Sequence, residues 1–103
     1  MEFLDVKGAS GRAYRFRSAR LDQLPATAGN LILTTGARPR LGYRLCAAAH
    51  SLDRTAPVVR EALAGARGAR LFIRLNVSRA ARDDEHADIV AAVNPELDRP
   101  DLG

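Results

Sequence analysis

Three polar residues in one short stretch set the chemical question for this 103-residue chain: Arg82, Glu85 and His86. On a helical wheel turning 100° per residue, Ile89 and Val93 mark the centre of the apolar side, and the three fall within about 60° of it. A helix that only had to pack would carry Ala or Leu there. One or more of the three is therefore expected to be partly buried and paired, with Arg44 or Arg74 from the sheet as partner. Such a pair is either an ion pair at the rim of a core or part of a polar site. His50 and His86 are the two histidines and have no cysteine beside them, which is a weak zinc pattern. Gly8-Ala9-Ser10-Gly11 is too short for a phosphate loop and opens no helix, and there is no G-x-S-x-G elbow. Cys46, followed by alanines in an apolar strand, reads as core rather than nucleophile.

The element that must hold these residues runs from Ala69 to Leu97 and reads as a strand turning directly into a helix. Leu71, Ile73, Leu75 and Val77 alternate with Phe72, Arg74 and Asn76, the period-two pattern of a strand with one apolar face. Ser78 stands at the N-cap. Asp83, Asp84 and Glu85 fall early in the helix, where its dipole favours anions, and Asn94-Pro95 closes it. Upstream, Phe3 to Val6 and Ala13 to Arg17 read as a β-hairpin. Its second strand, Tyr14-Arg15-Phe16-Arg17, interleaves aromatic and basic residues; one face can dock and the other stay charged, and the same pattern suits a nucleic-acid platform. Leu21 to Pro25 is a single helical turn stopped by proline.

Leu31 to Thr35 and Leu41 to Ala47 are strands predicted to pair antiparallel, because Gly36 to Arg40 is long enough for a hairpin and too short for a parallel crossover. Leu52, Ala56, Val59 and Leu63 form the stripe of another helix, starting near Thr55 with Pro57 in its first turn and ending at Gly65 or Gly68. Leu97 to Gly103, with Pro100 and no periodicity, is expected to be a loose tail. The expected fold is α/β of the α+β kind: a small, mostly antiparallel sheet with an N-terminal β-hairpin, flanked by two main helices. The expected organisation is one domain over residues 1–98, with the hairpin at 1–17, a core at 28–98 and the tail at 99–103.

Apolar residues make up 47% of the chain, which predicts a packed globule with a core of Leu, Ile and Val, since only 5% are aromatic. Sixteen Lys and Arg, fifteen of them Arg, against twelve Asp and Glu give a net charge of +4. A surface of this kind attracts polyanions, and Arg contacts phosphate bidentately. Arg15, Arg17, Arg38, Arg40, Arg44, Arg54 and Arg74 are the candidate nucleic-acid contacts for DNA or RNA. An Arg-rich surface produced by GC-rich coding is the competing explanation. The single cysteine and the absence of a long apolar run or signal-like N-terminus predict a cytoplasmic protein without a membrane partner.

Glu85-His86-Ala87-Asp88-Ile89-Val90 and Asn94-Pro95-Glu96-Leu97-Asp98, following strand, turn, strand, helix, strand, give an order that resembles the GIY-YIG nuclease-like domain over about residues 28–98. The resemblance implies a small antiparallel sheet flanked by helices, with a metal-binding Glu on the helix after the third strand. Glu85 is that position and would be the metal ligand. Gly29-Asn30-Leu31 and Leu45-Cys46-Ala47 fall where the name-giving tripeptides stand, so Leu31 and Leu45 replace the two tyrosines and Ala47 a glycine. The family's Arg falls at Thr55, beside Arg54, and its closing Asn at Asp98.

What the resemblance implies is a catalytically degenerate domain kept as a small basic binding or scaffolding module, with no cofactor. One alternative is a divergent endonuclease, with Tyr43 replacing the missing tyrosine, Arg54 on the phosphate and Mg²⁺ on Glu85. Another is an unrelated α/β protein-interaction domain. A sheet edge left open by the hairpin could pair two copies of the chain.

Overall fold

In the computed structural model, which describes residues 2–102, the N-terminal alternation becomes a hairpin of β1 (Phe3–Lys7) and β2 (Ala13–Ser18). Leu4, Val6, Tyr14 and Phe16 are buried on one face, and Phe3, Asp5 and Arg15 are exposed on the other. A single 3₁₀ turn, Leu21–Gln23, stands where the proline-stopped turn is expected. Then β3 (Gly29–Ala37) and β4 (Arg40–Ala49) pair antiparallel, as their spacing predicts. Both are longer than their apolar runs, because Gly36, at φ +75, keeps the ladder going to a tight turn at Arg38-Pro39.

A 3₁₀ segment, Leu52–Thr55, leads into α1 (Ala56–Leu63), with Pro57 in the first turn where its missing N–H costs nothing. The chain returns through β5 (Arg70–Leu75) and enters α2 (Arg79–Val93). Ser78 caps α2 by accepting the Ala81 N–H at 3.3 Å, and Asn94, at φ 49, ends it. Asp83, Asp84 and Glu85 lie one turn beyond the N-terminal turn, too far in for the dipole to be their main reason. Asp83 instead meets Arg79, and Glu85 meets the sheet.

The strands form one mixed sheet in the order β1-β2-β5-β3-β4-β6, where β6 is Leu97–Leu102. This corrects the loose tail expected after residue 97. The segment pairs parallel with β4, with Leu45 opposite Leu97 and Ala47 opposite Arg99. Its Asp-Arg-Pro-Asp composition has little strand propensity, so tertiary partners make the strand. His86 Nε2 lies 2.6 Å from Asp98 Oδ1, His50 Nε2 3.1 Å from Asp101 Oδ1, and the buried edge of β4 supplies the ladder. Met1 and Gly103 lie outside the described residues.

Helices cover opposite faces. Under α1 lie Leu31, Leu33, Leu45, Ala47 and Ile73; under α2 lie Leu4, Val6, Tyr14, Phe16, Ile32, Cys46, Phe72 and Ile89. The one-faced reading of β5 is thereby corrected. Phe72 and Ile73 are both buried because β5 is an inner strand, whereas Leu75 and Val77, counted as core by alternation, are 50% and 78% exposed. They lie past the β2–β5 pairs, Arg17 with Ile73 and Ser18 with Phe72, where β2 has splayed away. Register sets three rows on the α2 side: Arg70-Thr34-Tyr43, then Phe72-Ile32-Cys46, then Arg74-Asn30-Ala48. No helix among the described residues is long and apolar enough to cross a membrane.

Candidate functional site

The side chains that lean inward from α2 are buried and paired, as the wheel predicts. Arg82 and His86 are only 4% and 5% exposed. Glu85 is mostly shielded, and its Oε1 accepts from Arg74 Nε at 2.7 Å. Of the two expected partners it is Arg74, in the third sheet row, that meets the helix. Arg44 turns to the other face, where it donates to the Ala62 carbonyl at 3.1 Å and pairs with Glu96 at 3.3 Å. The β-bulge at Leu33/Thr34 shifts the β4 register just there. Arg74 also donates to the Arg15 carbonyl at 3.3 Å and lies over the Tyr14 ring. The carboxylate of Glu85 is thus spent on joining helix, strand and hairpin.

The catalytic candidates are not assembled. Tyr43 stands in the first row, four residues along the strand direction from the row of Arg74 and Glu85, about 13 Å by strand rise alone. Arg54 belongs to the 3₁₀ segment before α1, where Leu52 anchors it to the core on the opposite side of the sheet. Among the described residues no group of three or more His, Cys, Asp or Glu could hold a metal ion. Cys46 is buried, and its thiol is pushed up to about 12, chiefly by desolvation, so it is core and not a nucleophile.

Two networks escaped the sequence reading. Asn30 is buried in the third row; its Nδ2 donates to the Arg82 carbonyl at 3.1 Å and its Oδ1 accepts from Asn76 Nδ2 at 3.1 Å. A strand asparagine flanked by glycine and leucine carries no local sign of this role. The second network centres on Asp88, which accepts from Ser10 N at 2.8 Å, Ser10 Oγ at 2.6 Å and Tyr14 OH at 2.6 Å. A Cβ at Gly8 would come within 2.1 Å of the carboxylate, so any side chain there would push Asp88 out of this arrangement.

The Ser10 hydroxyl, followed by Tyr14, holds the Asp88 carboxyl below its ordinary range, while burial and then the bond to Asp88 push the Tyr14 phenol up. A carboxyl with a depressed folded-state pKa adds stability above its unfolded value, and that stability is lost as the pH falls through the folded one. Urea unfolding between neutral pH and pH about 3 should therefore show a steeper acid loss in the wild type than in Asp88→Asn. Equal slopes would remove Asp88 as the clasp of the hairpin loop.

Of the seven arginines expected to contact nucleic acid, the fold gathers only some. Arg15 and Arg17 lie on the hairpin face that neither helix covers, beside Phe3, which is 52% exposed. Arg15 is over the Phe3 ring at 5.1 Å and holds Asp5 through two bonds of 2.8 and 3.1 Å. A shallow cleft where β2 leaves β5 is lined by Phe3, Arg15, Arg17, Arg74 and Leu75, and a second one beside it by Arg17 and Arg20. Arg17 forms no ion pair among the described residues, whereas Arg20 meets Asp22. Arg38 and Arg40 flank the β3–β4 turn, and Arg44 and Arg54 belong to the α1 side. The seven do not form a single stripe beside Glu85.

Fold and surface together define an α+β sheet protein with a helix on each face, paired polar side chains under α2 and one open, basic, aromatic-bearing hairpin face. Compared with known proteins, the chain matches no family model, no curated protein and no solved structure.

Proposed function

We propose that this chain is a small, basic binding module without strand-cleaving activity, a degenerate counterpart of the GIY-YIG domain its sequence resembles, and that it takes single-stranded nucleic acid on the open hairpin face. The observation that carries this reading is the exposed Phe3 ring beside Arg15 and the unpaired Arg17 on a face that no helix covers. A sheet surface offering an aromatic ring for base stacking and guanidinium groups for phosphates is the arrangement by which single strands are held with little sequence preference. Duplex binding would need a longer basic track than the split arginines provide. A cytoplasmic home belongs to the same reading, in keeping with the lone buried thiol.

The endonuclease alternative finds no support in the geometry, because Glu85, Tyr43 and Arg54 lie apart and Glu85 is held by Arg74. Pairing of two copies through a sheet edge fits β1 better than β6, whose Pro100 and charged residues discourage an added strand.

The test is fluorescence anisotropy with a labelled single-stranded oligonucleotide, DNA and RNA in parallel. Two phosphate contacts, by Arg15 and Arg17, give a slope of about −1.4 in log affinity against log salt, a loss of roughly sevenfold between 50 and 200 mM. Phe3→Ala should weaken binding by roughly tenfold through lost stacking, and Arg17→Ala should flatten the slope by about 0.7. Absent binding at low salt, or binding indifferent to both substitutions, overturns the reading. Cleavage with Mg²⁺ or Mn²⁺ that disappears in Glu85→Ala would restore the endonuclease.

A further inference from the structure

Thr34 is completely buried, and its Oγ1 is the one buried side-chain polar atom among the described residues that has no hydrogen-bond partner. Orphaned hydroxyls are rare in folded proteins, because burying one without a partner costs more than a hydrogen bond returns. This one occupies the middle of the first row on the α2 side, between Arg70 and Tyr43. Beside it is a cavity of about 280 Å³ between the start of β1 and the β3–β4 turn. Leu4, Leu41 and Phe72 give it apolar walls, and Glu2, Arg38 and Arg70 bring charge to its lining. Arg70 is neutralised by Glu2, whereas Arg38 makes no ion pair among the described residues and acts on the Asp5 carboxylate, which Arg15 already holds, only at longer range.

We infer that this cavity is a binding site for a small organic monoanion with an apolar body. The body lies against Leu4, Leu41 and Phe72, the anionic group meets the Arg38 guanidinium, and a hydrogen-bonding atom satisfies the Thr34 hydroxyl. The three features agree in chemistry. Apolar walls with a few convergent polar groups are the usual make-up of a small-molecule site, and the volume lies just below the usual range, which admits a ring with a short acid chain rather than a nucleotide. A neutral ligand would leave Arg38 unused, and a dianion would bring more charge than one free guanidinium offsets. The inference stands apart from the hairpin-face reading, because Thr34 and Arg38 take no part in that face.

The probe is 3-phenylpropionate, titrated into the ¹⁵N-labelled protein, with 3-phenylpropionamide as its uncharged counterpart. Amide shifts should change at Thr34, Leu41 and Phe72 at roughly millimolar probe. Affinity should fall roughly fivefold or more for the amide, for Arg38→Ala and for Thr34→Val, while Thr34→Ser, which keeps the hydroxyl, binds as the wild type does. Shifts scattered over the surface, equal binding of acid and amide, or Thr34→Val binding as well as Thr34→Ser would each overturn the inference. Phe3 touches both the cavity and the hairpin face, so it is left unchanged here.

Discussion

Gly29→Ala is expected to destabilise the protein by about 3 kcal/mol, a fall in melting temperature of roughly 15 °C for a domain of this size. Gly29 opens β3 and is paired on both sides, with Ala49 of β4 and Leu75 of β5. A Cβ there would come within 2.4 Å of the Arg74 carbonyl oxygen and 2.9 Å of Leu52 Cδ1. The first obstacle is backbone in an inner strand, and the second is a fully buried core side chain, so neither can swing aside cheaply. To make room, β3 and β5 must separate near Arg74, which also carries the ion pair to Glu85. Gly65→Ala is the control. Gly65 sits at φ +77 with nothing within 4 Å of its would-be Cβ, so it reports only the strain of a left-handed residue, about 1 kcal/mol. If denaturation places the two variants together, steric closeness at Gly29 is not what constrains it.

Arg82→Ala is expected to cost about 3 kcal/mol, with Arg82→Met recovering roughly half, because Met fills the space but donates nothing. The guanidinium is buried without a carboxylate; Nη1 donates to the carbonyls of Asn76 at 3.1 Å and Val77 at 3.3 Å, and Nη2 approaches His50 Nδ1 at 3.5 Å. Its own carbonyl receives the Asn30 amide. The side chain therefore ties the exit of β5 to the first turn of α2 and to the end of β4. Truncation leaves a void and at least one carbonyl without its donor. Urea unfolding of both variants checks this. Should Met equal Ala, volume contributes nothing and the loss is all hydrogen bonding; should both equal wild type, water already serves the carbonyls.

The hairpin, the antiparallel β3–β4 pair, the α2 cap at Ser78 and its end at Asn94 follow from local chemistry: alternation, turn residues, a hydroxyl at the N-cap and a residue that tolerates positive φ. So does the anomaly on α2, because a wheel needs only the helix itself to place Arg82, Glu85 and His86 on the apolar side. Arg74 and Arg44 follow as the expected partners, but which of the two meets the helix does not. Arg74 and Arg44 both stand on inner strands, and a bulge at Leu33/Thr34 sends Arg44 to the opposite face, which no count along the chain contains.

The strand at Leu97–Leu102 was hidden for a related reason. Its residues disfavour a strand, and His86, His50, Arg79 and the free edge of β4, none of them local to it, hold it in place. Alternation predicts Leu75 and Val77 as core and both are exposed, because alternation records which residues share a face, not whether anything covers it.

By itself, then, the amino-acid sequence determined the elements other than β6, their caps and turns, the basic balance and the presence of polar side chains on the packing side of α2, since all of these depend on residues within a few positions of one another. Tertiary structure alone decided that Glu85 is consumed by Arg74, that Tyr43 and Arg54 stand apart from it, that Phe3 and Arg17 share an open face, and that Thr34 is left unpartnered beside a cavity. Each of those is a relation between strands that the ladder brings together, and register across a sheet is set by the whole set of strands at once.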